Sequence, residues 1–158
     1  MKSKVMDLAA AARLVPSGST LAIGGNILRR QPAAFIRELI RNGVKDLTVI
    51  GFPAGLATDM LAGADALKRV EAVYVGLFQF GMAYNFRRGV EAGKISVGDF
   101  PECSQIARFQ AAGMGLTYLP MKDTLGTDMA KYNPEQIWCR WAPSITTLPA
   151  SRRSCTWS

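Results

Sequence analysis

An α/β fold, with an open, mainly parallel sheet and helices on both faces, is the class this sequence predicts. Short apolar runs rich in β-branched residues alternate with amphipathic stretches of helical period, and most of them stop at Gly or Pro. The most informative stretch is residues 17–32, SGSTLAIGGNILRRQP. A Ser-Gly turn leads into a buried strand, a glycine pair follows, and Pro32 opens a helix. In open α/β sheets ligands bind at the carboxyl ends of strands. A glycine there lets a ligand approach the backbone, because it has no Cβ. A plain strand-to-helix turn uses the same residues.

The elements follow in order. Residues 4–15 predict a helix, with Val5, Leu8, Ala9, Ala12 and Val15 at steps of three and four. Residues 19–23 predict the first strand. The helix led by Pro32 buries Phe35, Ile36, Leu39 and Ile40 and stops at Asn42 and Gly43. Residues 47–50 predict a strand, 56–66 a helix and 70–75 a third strand. A helix over 84–92, a strand over 94–97, a helix over 102–112 and a strand over 117–119 complete the pattern. The expected core is Leu21, Ile23, Phe35, Leu39, Val49, Ile50, Val73, Val75 and Leu119.

Composition narrows the function. With 49% hydrophobic residues, the 158-residue chain has enough apolar surface to bury a core, which excludes a disordered polypeptide. No apolar run is long enough to span a bilayer, and Asp7 and Arg13 interrupt the N-terminal stretch as no signal peptide would. A cytoplasmic protein is expected. There is no histidine, and the three cysteines, Cys103, Cys139 and Cys155, are far apart. Neither a metal site nor a disulfide framework is indicated, and histidine-based acid–base chemistry is excluded for this chain. Of the net charge of +7, residues 1–136 carry +4 and the last 22 residues +3. The basic residues are scattered, so an anionic small ligand fits better than nucleic acid.

The last stretch breaks the pattern. Trp138, Trp141 and Trp157 all fall there, with two of the cysteines and the run SITTLPASRRSCTWS. The expectation is an α/β domain over 1–136 and an irregular tail over 137–158, outside the core. The tail is either a segment that packs its tryptophans on a partner or a stretch out of the native reading frame.

In order and spacing, SGSTLAIGGNILRRQPAAFIREL, GVKDLTVI, LKRVEAVYVG, FRRGVEAGKISVGDFPE and AAGMGLTYLPMKDTLGTD resemble the A (alpha) subunit of class I CoA-transferases, most of all the glutaconate CoA-transferase branch. The resemblance covers about residues 4–130. Asn26 stands where the signature usually has phenylalanine, Arg30 where many members have glycine, and Phe52 and Pro53 where some carry two asparagines.

The resemblance implies chemistry shared between two subunits. In the family, a glutamate from the B subunit is the nucleophile that opens an acyl-CoA thioester, and CoA is carried as an enzyme-bound thioester to a second carboxylic acid. No matching glutamate motif occurs here, so the catalytic glutamate would come from the B subunit. This chain would supply the acyl pocket with Gly24, Gly25, Asn26, Gly55, Gln79, Gly126 and Thr127. Coenzyme A thioester would be a substrate, with no tightly bound cofactor. Several of these positions have a second explanation. Gln79 also suits a solvated loop, and Gly126 and Thr127 before Asp128 also suit a helix cap. Glu102 suits the dipole at the start of its helix. It also matches a region from which relatives that hydrolyse ring-containing acyl-CoA compounds draw a carboxylate. Arg29 and Arg30 suit a substrate carboxylate or the surface. An acyl-CoA hydrolase or lyase on the same scaffold, and a non-catalytic binding domain, are the competing functions.

Overall fold

A computed structural model describes residues 5–124, 126–132, 136–137 and 145–147. The chain divides into two compact units, residues 1–98 and 99–158, a division the sequence pattern does not reveal.

The first unit opens with α1 (Leu8–Arg13). It starts later than expected because the Asp7 carboxylate accepts the Ala10 N–H at 2.6 Å and caps it. β1 (Thr20–Ile23), α2 (Ala33–Arg41), β2 (Leu47–Gly51), α3 (Leu56–Gly63), β3 (Leu67–Ala72) and α4 (Tyr84–Glu91) follow. β4 (Ser96–Asp99) closes the four-stranded sheet, whose order is β1-β2-β3-β4. β1 pairs with β2, and β2 with β3, in parallel, as expected of the predicted fold. Crossovers of the same hand between neighbouring parallel strands place their helices on one side of a sheet, and α2 and α3 are in contact. α1 packs on α2, α2 on α3, and α3 on α4. Leu47, Val49 and Gly51 of β2 are buried, while Thr48 and Ile50 are only half-buried.

Two strands are displaced from their expected positions. β3 begins at Leu67, not at residue 70, because Leu67 pairs with Leu47 across a register shift that accommodates Lys68. Val73 and Val75 therefore lie beyond the strand and are half-buried. β4 begins at Ser96, not at residue 94. The N–H groups of Lys94 and Ile95 both donate to the Gly89 carbonyl, at 2.9 and 3.2 Å, so they finish α4 instead of starting a strand.

The core of this unit is carried by Ile36, Leu39, Leu47, Val49, Leu61 and Val70, all at 0% exposure. Each full burial of such a side chain is worth about 2 kcal/mol. Leu21, Ile23, Phe35 and Ile50, expected in the core, are half-buried and pack against it or beside it. For Leu21 and Ile23 the cause is their place on β1, the edge strand.

Asp59 ties two helices together. Its carboxylate accepts the N–H groups of Asn85 at 2.8 Å and Phe86 at 3.0 Å, and the Asn85 amide at 2.9 Å. A residue of α3 thus satisfies the orphan donors that open α4. Asp59→Ala is expected to lower stability by about 2 kcal/mol, and Asp59→Asn by less, since one oxygen can still accept. Urea unfolding measures both; a loss under about 0.5 kcal/mol for the alanine variant would contradict this role.

The second unit holds α5 (Glu102–Gly113), β5 (Tyr118–Pro120), α6 (Met129–Tyr132), β6 (Gln136–Ile137) and β7 (Ile145–Thr147). β5 and β6 both pair antiparallel with β7, in a three-stranded sheet of order β5-β7-β6. Leu119, expected in the core, is half-buried. Most of the stretch 137–158 lies outside the described residues, including Trp138, Cys139, Trp141, Cys155 and Trp157. What is described of it is strand: Ile137 and Ile145–Thr147.

Candidate functional site

Three loops meet at the carboxyl ends of β1, β2 and β3, where open α/β sheets bind ligands. They are residues 24–31, 52–55 and 73–82. Gly24, Gly25 and Asn26 lie in the first, Gly55 in the second and Gln79 in the third. Glu102, Gly126 and Thr127 belong to the second unit.

The first loop is a tight reversal. Asn26 and Arg29 exchange both backbone hydrogen bonds, at 2.8 and 2.7 Å, around Ile27 and Leu28. Ile27 has φ +50°, a conformation that suits glycine at the first central position of such a turn. A β-branched residue there costs about 1–3 kcal/mol. Two contacts offset it: Ile27 is only 2% exposed, and its carbonyl accepts the Leu56 N–H at 2.9 Å. Sequence reasoning missed Ile27, and no local signal marks it.

Gly25 and Gly55 sit where the neighbouring backbone leaves no room for a side chain. At Gly25, φ is +103°, and a Cβ would lie 2.6 Å from the Arg30 carbonyl oxygen. At Gly55 a Cβ would overlap the Ile27 backbone, with its carbonyl carbon at 2.7 Å. Gly24 differs: a Cβ there would meet nothing within 4 Å, and the residue is exposed. It is the glycine of the three whose space is open to a ligand. The Asn26 N–H is already given to Arg29, so Asn26 would address a ligand through its exposed side chain.

The second loop is fastened to the third. The Ala54 N–H donates to the Tyr74 carbonyl at 2.9 Å, and the Gly76 N–H to the Ala54 carbonyl at 3.3 Å. Gln79 sits exposed at the middle of the 3-10 turn Phe78–Phe80. The loops are thus one laced structure, although each is short on regular pairing. None of the three contains Asp or Glu, while Arg29 and Arg30 are exposed in the first. Such a surface can place donors and positive charge around a carboxylate or thioester oxygen. It offers no carboxylate nucleophile.

In the second unit, Glu102 is the exposed first residue of α5. Two residues on, the fully buried Ser104 hydroxyl donates to the Asp123 carboxylate at 2.6 Å. Thr127 donates its hydroxyl to the Thr124 carbonyl at 2.9 Å and accepts the Met129 N–H at 3.3 Å, within an exposed turn before α6. Its local contacts are those of a cap. Among the described residues, no cluster of three His, Cys, Asp or Glu side chains is placed to hold a metal. No helix among them is long and apolar enough to cross a membrane. The displaced titrations lie away from the loops. A hydrogen bond from Lys94 and its charge hold the exposed Asp65 below the usual carboxylate range, and a hydrogen bond to Glu91 raises Arg87. The small contribution of the Asp65 pair is present above the ordinary carboxylate pKa and fades as pH falls through the lowered one.

The profile of the coenzyme A transferase family matches residues 5–134, and the chain belongs to that family. It is 36% identical over 121 residues to the A subunit of glutaconate CoA-transferase from Acidaminococcus fermentans, covering 75% of this chain and 38% of that one. A chain in the crystal structure of glutaconate coenzyme A-transferase from that organism superposes with a TM-score of 0.76, at 34% identity, over 82% of this chain and 41% of its own. The crystal structure of a cysteine-to-serine variant of the decarboxylase AibA/AibB gives a TM-score of 0.80 at 28% identity, over 92% of this chain and 57% of that one. The cholesterol ring-cleaving hydrolase IpdA subunit of Rhodococcus jostii is 32% identical over 140 residues, 86% of this chain and 46% of its own. The chain therefore spans less than half the length of these curated relatives.

Proposed function

We propose that this chain is the acyl-binding, A-type part of an acyl-CoA:carboxylate CoA-transferase, working in the cytoplasm with a B subunit that supplies the catalytic glutamate. One observation carries this reading: the three laced loops can bind a carboxylate or thioester but contain no Asp or Glu to attack one. Family membership and the likeness to the A subunit of glutaconate CoA-transferase support it. Acyl-CoA and a carboxylic acid are the substrates, and CoA is carried between them without a tightly bound cofactor. Gly24, Asn26 and Gln79 face the acyl group. Gly25 and Gly55 hold the loops in shape.

The purified chain is expected to give no exchange of CoA between glutaryl-CoA and acetate. Exchange is expected when the other subunit of the Acidaminococcus fermentans enzyme is added. Turnover by this chain alone, above a buffer control, would overturn the division of labour. A second reading, an acyl-CoA hydrolase or lyase on the same scaffold, draws on the exposed Glu102 and the likeness to the IpdA subunit. Release of free CoA without transfer, abolished by Glu102→Gln, would favour it.

A further inference from the structure

Tyr74 carries the one hydroxyl among the side chains of the three loops, residues 24–31, 52–55 and 73–82. Its place is fixed from two sides. The Ala54 N–H donates to the Tyr74 carbonyl at 2.9 Å, which holds the backbone against the second loop. The ring lies over Gly76, where a Cβ would overlap the hydroxyl and lie 2.5 Å from the ring carbon Cζ. Gly76 in turn donates its N–H to the Ala54 carbonyl at 3.3 Å. A glycine thus makes room for the phenol at the seam where the second and third loops are laced. Among the described residues, no hydrogen bond engages the Tyr74 hydroxyl, and the residue is 46% exposed. The loops have no Asp or Glu of their own to bond it. A phenol offers one donor and holds its proton at neutral pH.

We infer that the Tyr74 hydroxyl is the donor this chain supplies to the acyl oxygen while the thioester is opened. The inference rests on the two-subunit reading above and adds to it a residue of this chain that acts on the reacting atoms. A carboxylate that adds to the thioester carbon pushes the carbonyl electron pair onto oxygen. The phenol donates a hydrogen bond to that oxyanion and keeps its proton. The charge returns to the carbonyl as the CoA thiolate leaves, so the hydroxyl ends the step as it began. Such a donor serves best when it stands in place before the charge develops, since nothing then has to reorganise. A ring seated on Gly76 and a backbone held by Ala54 meet that condition.

The test is steady-state kinetics of the full chain assembled with the other subunit of the Acidaminococcus fermentans enzyme, with glutaryl-CoA and acetate. Tyr74→Phe should lower kcat about 100-fold and leave KM within about threefold, because the bond is made to the oxyanion and not to the ground state. Circular dichroism and melting of this variant should match the parent, since only an exposed hydroxyl is lost. Gly76→Ala keeps the hydroxyl and moves it: the new Cβ meets the outer end of a flexible ring, which swings aside. Its kcat should fall by a similar factor, and the two substitutions together should cost no more than Tyr74→Phe alone. Tyr132→Phe, at an exposed tyrosine of the second unit, should behave as the wild type. A Tyr74→Phe kcat within about threefold of the wild type, a rise in KM alone, or losses that multiply in the double variant would overturn the assignment and leave the two-subunit reading standing. An assembly that is inactive even with the wild-type chain would overturn both.

Discussion

Replacing Gly55 with alanine is expected to cost about 3 kcal/mol, through overpacking and a lost hydrogen bond. A Cβ at this position would overlap the Ile27 backbone, which cannot yield as a flexible side chain can. The only relief is to part the first two loops, and that breaks the bond from the Leu56 N–H to the Ile27 carbonyl. Ile27 would then keep its strained turn without the contact that offsets it. Denaturant unfolding of the variant measures the loss. A change below about 1 kcal/mol would show that the loops are not laced as described.

Gly25→Val is expected to do as much damage from within the first loop. The residue needs φ +103°, and its Cβ would meet the Arg30 carbonyl oxygen at 2.6 Å, so about 3 kcal/mol or more is at stake. Activity of the assembled enzyme should fall with it, but for a structural cause. Gly24→Val separates the two causes. Its side chain enters open space at an ordinary φ, so stability should stay within about 0.5 kcal/mol. If the acyl group lies over this loop, turnover by the assembly should nonetheless fall strongly. Unchanged kinetics in Gly24→Val would return the glycine pair to a simple turn.

Much of this architecture is legible in the sequence, because local chemistry and tertiary structure agree there. Pro32 does stand at the start of α2, and Asn42 and Gly43 do end it. The helices from Tyr84 and Glu102 begin where their patterns begin. The misplaced strands have a common cause. Lys68 and Arg69 look too polar for a strand, yet the pairing of Leu67 with Leu47 draws them into β3. Lys94 and Ile95 look extended, yet their amides finish a helix.

The site was legible only in outline. The glycines stood out, but which of them faces open space depends on φ and on carbonyls five residues or a whole loop away. Ile27 gives no sign of its turn, since a buried β-branched residue reads as strand. Val73 and Val75 read as core because they are apolar and end a strand pattern, yet both are half-buried beyond β3, and the aromatics that follow, Phe78 and Phe80, are exposed.

The central claim is that this chain binds the acyl group and its partner carries the covalent chemistry. Intact-mass spectrometry of both chains, acid-quenched during turnover of acyl-CoA by the assembled enzyme, tests it most directly. The account predicts a partner chain heavier by one coenzyme A less one water, as a glutamyl thioester requires, and this chain at its unmodified mass. An adduct on this chain, at Glu102 or elsewhere, or steady turnover with both chains unmodified, would contradict it.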